Sequence, residues 1–322
     1  MPRLCTLFLL VLATLSFGST AGALEKYPSR LIKIIVGFPP GSSADILGRV
    51  YAQKLSEMFG QPVIVENRPG ASSNMATEMA VRAVPDGYTV SIGSTANTIS
   101  TNTLDLNFDF ARDLSPIIAF ASAPTVLMVS AKLGVSNVKD FINYAKGHPG
   151  KVAFGSSGTW SGPHMAGELF SMVTGANLTF IPYQATPQAV NDMLGGQIPA
   201  AFVTSPPAAG FVNDDRVKVL AVTADKRSSL IPNVPTMHEE GVDGADTSIW
   251  YGFFAPKDTP LAVRKIFADA VMKINEMPDV QQVLKNNGTE PMAISLDALS
   301  SYVVEDTNRW KRVVDVVKAR TK

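Results

Sequence analysis

Two rhythms of apolar residues alternate along the chain: short β-branched runs and longer stripes at helical spacing, with small polar loops between them. The sharpest case spans residues 31–59. Leu31 to Val36 is a mostly apolar, β-branched run, which predicts a strand buried on both faces. Gly37 to Ser43 holds two prolines, two glycines and two serines, so neither strand nor helix continues through it. A helix pattern over 44–58 follows, with Ile46, Leu47, Val50, Tyr51, Leu55, Met58 and Phe59 on one stripe. Ser42 and Asp45 stand at capping-box spacing. Strand, Ser/Gly loop and helix start also make an anion site, because unpaired backbone N–H groups and the helix dipole point outward there. One such loop is satisfied by either reading, a capped helix or a binding loop.

The same device recurs. Before it, Val63 to Glu66 reads as a short strand, and Ser72 or Ser73 as the cap of a helix carrying Met75, Met79, Ala80 and Ala83. A third strand, Tyr88 to Ile92, ends in the polar loop Gly93–Asn97. Alternation of this length predicts a parallel sheet with helices on both faces. The apolar run Ile117–Val129 then carries the chain into a second α/β block. A helix from Ser136 or Asn137 stops at Gly147–Gly150, and the strand Val152–Phe154 enters the loop Gly155–Gly162. The next helix is marked by Pro163 at its start and Gly175 past its end. Leu178–Ile181, a helix from Thr186-Pro187 to Gly195-Gly196, Ala200–Val203 and Val217–Val222 complete the block. From Asp225 a linker with Pro232 and Pro235 leads to a buried strand around Trp250–Phe254. A helix from Thr259-Pro260 follows, then a last one with Leu299, Val303, Trp310, Val313 and Val317. These closing helices are expected to cover a sheet built elsewhere, which makes the first lobe discontinuous.

Charge narrows the partners. With 28 basic and 28 acidic residues and no basic stripe, nucleic acid is not an expected partner. Residues 1–23 read as a secretory signal: Arg3, the apolar core Leu4–Phe17, and Ala21-Gly22-Ala23 at the cleavage position. That core of 14 residues is shorter than the roughly 20 needed to span a bilayer. The single cysteine, Cys5, lies inside it, so the mature chain is expected to be exported and free of disulfides.

Two lobes, each with a Ser/Gly loop at a strand end, suggest a ligand held between them. Neither loop contains lysine or arginine, so an anion would be held by backbone N–H and hydroxyl groups. Gly155–Thr159 does not match a nucleophile elbow, and no phosphate-binding glycine motif occurs in the loops. A hydrolase using Ser157 and His164 is the enzymatic rival, though a structural or ligand-lining role for His164 is favoured. His148, His164 and His238 lack metal-ligand spacing, so no metal or other cofactor is expected. Asp45 reads as a helix cap or as a carboxylate that recognises an amine. Trp160 reads as a stacking surface in the cleft, favouring a flat or aromatic acid, or as packing between loop and helix.

Taken together, the ordered set Phe38–Asp45, Glu66–Ala71, Pro85–Tyr88, Gly155–Gly158, His164–Phe170, Ile181–Tyr183, Leu194–Gln197, Leu220–Thr223 and Trp250–Gly252 resembles the Bug-type receptors of the tripartite tricarboxylate transporter family. The resemblance covers nearly the whole mature chain. It implies a two-lobed type II periplasmic binding protein fold of α/β class, each lobe a mainly parallel sheet flanked by helices. Lobe I would comprise 24–122 and 226–322 and lobe II 123–225, with hinge segments near Phe120–Thr125 and Ala221–Arg227. The family's ligand loops match Phe38, Gly41, Ser42, Ser43 and Asp45 on one side. On the other they match Ser156, Ser157, Gly158, Thr159, Trp160 and Ser161, with His164 behind. Thr95, Asn97, Tyr183, Thr204 and Ser205 would shape the rest of the pocket. The implied protein is not an enzyme: a monomeric periplasmic receptor captures a small organic acid and hands it to the small and large subunits of a permease. A ligand sensor feeding a two-component system is the alternative within that architecture. Three departures stand out by the same resemblance: Ser42 for a second glycine, Trp160 for a glycine, and Gln184-Ala185 for a basic-glycine pair.

Overall fold

The computed structural model describes residues 27–320; the expected signal segment 1–23, with Cys5, lies outside them. The first half begins as the apolar rhythm predicts. β1 (Ile32–Val36) leads to α1 (Ser43–Phe59), β2 (Val63–Asn67), α2 (Asn74–Val81) and β3 (Thr89–Ser94). The chain then forms α3 (Thr95–Thr103), a short α4 (Phe110–Asp113) and the 17-residue strand β4 (Leu114–Ser130). In the second half come α5 (Val138–Gly147), β5 (Ala153–Ser157), α6 (Gly162–Thr174), β6 (Thr179–Tyr183), α7 (Thr186–Gly195), β7 (Ala200–Thr204), α8 (Ser205–Ala209) and β8 (Val217–Val222). β9 (Ser248–Pro256), α9 (Leu261–Asn275), α10 (Pro278–Asn286), β10 (Glu290–Ser295) and α11 (Leu296–Arg320) close the chain.

Strand order among the described residues is β2-β1-β3-β9-β4-β7-β5-β6, with β8 and β10 also pairing with β4. Each half contributes three parallel strands: β2, β1 and β3 in one, β6, β5 and β7 in the other. Antiparallel pairing enters through β9 and β4, the strands that join the halves. β4 is long enough to serve both sheets, its first part pairing with β9 and its last part with β7 and β8. Each half has its own apolar core. Ile34, Leu47, Tyr51, Phe120 and Phe253 anchor the first, and Phe141, Phe154, Phe170 and Phe202 the second.

Three features differ from the sequence expectation. The segment between β8 and β9 packs on the second half, since Ile231 and Val234 join one of its apolar clusters and Met237, Val242 and Ala245 the other. A division at 225/226 would cut those side chains from the core that buries them. The chain therefore passes between halves in β4 and again at 247/248, and Ala221–Arg227 lies beside that crossing. Thr223 is pinned there: its amide donates to the Thr125 carbonyl at 2.8 Å, and its hydroxyl lies nearest the Thr247 carbonyl, with the Thr125 carbonyl at 3.1 Å. In α2 the methionine stripe faces solvent, with Met75 55% and Met79 41% exposed, while Asn74, Ala76, Thr77 and Ala80 are buried. Finally, α11 does more than cover the first sheet. Leu299 and Val303 pack there, but Trp310, Val313 and Val314 form a cluster with Ile99 of α3 and with Met165 and Leu169 of α6. The helix thus touches both halves. Trp250 and Trp310 are both fully buried.

Candidate functional site

A cavity of about 390 Å³ opens between the halves. Its wall combines Phe38, Ser72, Ser94, Thr95 and Ala96 from the first half with Ser157, Thr159, Trp160, Ser161, Gly162, Pro163, Thr186 and Thr204 from the second; Ile249 and Tyr251 of β9 complete it. Both Ser/Gly loops therefore reach one hollow, the first through Phe38 alone. Among the described residues no lysine, arginine, histidine, aspartate or glutamate lines it.

What lines it instead is a set of helix starts. Ser94 caps α3: its hydroxyl accepts from the Ala96 amide at 3.3 Å, and its own amide donates to Asn97 Oδ1 at 3.0 Å. Asn97 is wholly buried and donates to Thr77 Oγ1 and Asn74 Oδ1, so its amide locks α3 to α2 and does not reach the cavity. Thr95 is held from the other side, donating to the Ser248 carbonyl and accepting from the Trp250 amide. Ser161 caps α6, with its hydroxyl accepting from the His164 amide and Pro163 in the first turn. Thr186 opens α7. The initial turns of α3, α6 and α7 thus converge, each bringing the positive end of its dipole, although the caps already take the Ala96 and His164 amides and Pro163 and Pro187 carry no N–H.

The loop before α6 is shaped by its own hydrogen bonds. Gly158, at φ +76°, donates its amide to the Tyr183 carbonyl at 2.7 Å. Trp160 takes a left-handed φ of 64°, and its amide donates to His164 Nδ1 at 3.0 Å. His164 is 1% exposed, packs on Phe180 with ring centroids 3.8 Å apart, and turns Nε2 toward Glu168 Oε1 at 3.7 Å. Accepting at Nδ1 leaves the ring proton on Nε2. The imidazole is a brace for the loop, and no hydrogen bond joins it to Ser157 among the described residues.

Several other expected site residues stand behind the wall. Asp45 is buried and accepts from the Gly41 amide, Arg49 and Asn67. Burial pushes its carboxyl up, but the bonds from Arg49, Gly41 and Asn67 outweigh that and hold it below the ordinary carboxylate range. Ser42 caps α1 through the Asp45 amide, and with Gly41 and Ser43 it stays outside the cavity. Tyr183 turns its hydroxyl to Asp192 at 2.8 Å, and burial with that neighbour raises the phenol to about 12. Ser205 donates to the Gly288 carbonyl, and Ser156 is fully buried. Phe38, Thr95, Ser157, Thr159, Trp160, Ser161 and Thr204 are the expected residues that the structure brings together.

Other wall residues were not singled out. Ser94 and Ala96 sit in the polar loop read after the third strand, and Gly162, Pro163 and Thr186 at helix starts already recognised. Tyr251 lies in the buried strand and in the Trp250–Gly252 stretch read from sequence, but nothing local places it or Ile249 at the site; the pairing of β9 with β4 and β3 does. Burial raises the Tyr251 phenol to about 12, so it remains a protonated donor near neutral pH. Ser72 lies in the run Ala71, Ser72 and Ser73, with left-handed φ of 46°, 54° and 75°. For non-glycine residues that conformation costs roughly 1–2 kcal/mol each, so strain is concentrated at the cavity rim.

The family described as tripartite tricarboxylate transporter family receptor matches residues 47–318. The chain is 30% identical to protein BugT of Bordetella pertussis, over all of this chain and 99% of that one. It is 32% identical to a Cupriavidus necator protein, over 90% of this chain and 88% of the other. Among solved structures, a TctC solute-binding protein from Polaromonas without ligand superposes with a TM-score of 0.83 at 26% identity, covering 90% of this chain and 99% of that one. An R. palustris protein with adipate superposes at 0.71 with 30% identity, covering 90% and 97%.

Proposed function

Because the chain belongs to the receptor family of the tripartite tricarboxylate transporters, we propose that it captures a small organic carboxylate in the cavity between its halves and delivers it to a membrane permease outside the cytoplasm. One observation carries the ligand reading. Three helix starts and a ring of hydroxyls face a cavity that, among the described residues, no charged side chain lines. Such a wall offers donors to a carboxylate, has no carboxylate for a cation, and gives a neutral ligand no use for the converging dipoles. The adipate in a relative of 30% identity supports the same class of ligand. The export segment expected at 1–23 supports a location beyond the inner membrane. The lobes that would close on the ligand divide within β4 and at 247/248. Closure would be a rigid-body movement about those two passages, favoured by contacts that form only when both walls meet the ligand.

The test begins with mass spectrometry of ligand released from the purified protein, followed by calorimetry against carboxylates. Thr159 is exposed and lines the cavity, so a charge placed there alters the site without disturbing the core. A carboxylate about 5 Å from a bound anion costs about 3 kcal/mol at an effective dielectric of about 20, so Thr159→Asp should weaken acid binding about 100-fold. Thr159→Lys should weaken it little or strengthen it. If Thr159→Asp binds the acids as tightly as the wild type, they do not occupy this cavity.

A further inference from the structure

We infer that the acid bound here carries its carboxylate on a flat aromatic body, and that Trp160 is the residue that sets this preference. The inference rests on the carboxylate reading above and adds the shape of what is attached to the head group.

Trp160 is held as a wall. Its backbone is left-handed at φ 64°, a conformation glycine would adopt freely, and its amide is fixed on His164 Nδ1 at 3.0 Å. The indole meets the His164 ring edge-on, with centroids 5.8 Å apart, and His164 is itself clamped against Phe180. Beyond the cavity the indole packs on the cluster of Ile99, Leu169 and Trp310. A large aromatic surface is thus braced before any ligand arrives, and ordering it costs a ligand little. Phe38 and Tyr251 add rings to the same wall from the other half. Hydroxyls gather at the helix starts, and the three rings stand elsewhere on the wall. At about 390 Å³ the cavity lies near the small end of the range for small-molecule sites, which suits a single-ring acid.

Calorimetry on ligand-stripped protein should compare benzoate and phenylacetate with hexanoate and adipate, in the wild type and in Trp160→Gly. Glycine suits the left-handed backbone, so the variant is expected to fold, which its melting curve checks. Wild type should bind the aromatic monoacids about tenfold more tightly than the linear acids. Trp160→Gly should lose about tenfold for the aromatic acids while changing hexanoate by less than about threefold. Phe38→Leu, which keeps apolar bulk and removes a ring, should cost the aromatic acids about fivefold. Tighter binding of adipate by the wild type, or an aromatic-to-linear ratio that both variants leave unchanged, overturns the inference and leaves the carboxylate reading standing. Binding of none of the four acids by the wild type overturns both.

Discussion

Replacing Asp306 by alanine is expected to cost about 3–5 kcal/mol of stability, the largest effect of any single change outside the apolar cores. The carboxylate is 2% exposed and joins three elements. Trp250 Nε1 of β9 donates to it at 3.0 Å, Thr98 Oγ1 of α3 at 2.7 Å, and Arg309 of α11 stands 3.7 Å away. Alanine would leave the Trp250 indole N–H buried without its acceptor, a loss of about 1–3 kcal/mol, would strip Arg309 of its carboxylate and would open a void, while the Thr98 hydroxyl keeps the Thr95 carbonyl at 2.9 Å. Urea unfolding with an unchanged slope measures the cost, and a loss below about 1 kcal/mol would contradict this role. The pH dependence has an unusual sign. Burial raises the Asp306 carboxyl above its ordinary value, despite its bonds to Trp250 and Thr98. Its contribution is therefore fully present below the unfolded value near about 4 and is lost as pH rises through the folded one. The stability difference between the wild type and Asp306→Asn should accordingly shrink as pH increases above about 4.

Gly37→Ala is the second large effect. A Cβ at position 37 would stand 2.0 Å from Ser73 Oγ and 2.6 Å from Ser73 Cα. The second atom is backbone and Ser73 is 1% exposed, so no rotamer change relieves the clash. The strand end and the strained turn 71–73 must move apart, at a cost of about 2–4 kcal/mol. Phe38 and Ser72 each adjoin a clashing residue and line the cavity, so acid affinity should also fall by about tenfold or more. Thermal melting and calorimetry on one preparation would separate the two losses. Wild-type affinity in a destabilised variant would show that the cavity wall does not depend on this contact.

That glycine marks where sequence reasoning ran short. In sequence Gly37 reads as a break after a strand, and its role is spatial: it admits another turn. Helix starts are legible at Ser42 and Asn137, whose side chains make their cap bonds, but not at Ser94 and Asp109, whose caps also form and open α3 and α4. The helix after Ser73 shows the limit of an apolar stripe as a guide, because its buried face is largely polar. Asn74 and Thr77 are satisfied by Asn97 and Ser100, whereas the apolar Met75 and Met79 face water. An apolar stripe reads burial only where burial is apolar. α10 and β10 were not foreseen: β10 is short, largely half-buried, and defined by its distant pairing with β4. In the site, local signals found the loop residues. Tyr251 and Ile249 needed the register of β9, and His164 needed its hydrogen bond to Trp160 before its bracing role was visible.

The uneven burial of the three tryptophans has a practical consequence. Trp250 and Trp310 are sealed in the interior, and Trp160 alone borders the cavity. Emission from the first two should be indifferent to occupancy, so a change in intrinsic fluorescence on titration would come from the third. The receptor is in effect its own optical probe. Trp160→Gly should silence the signal, and because the indole packs on the cluster that holds Trp310, the variant's unliganded spectrum gives the baseline for the remaining two.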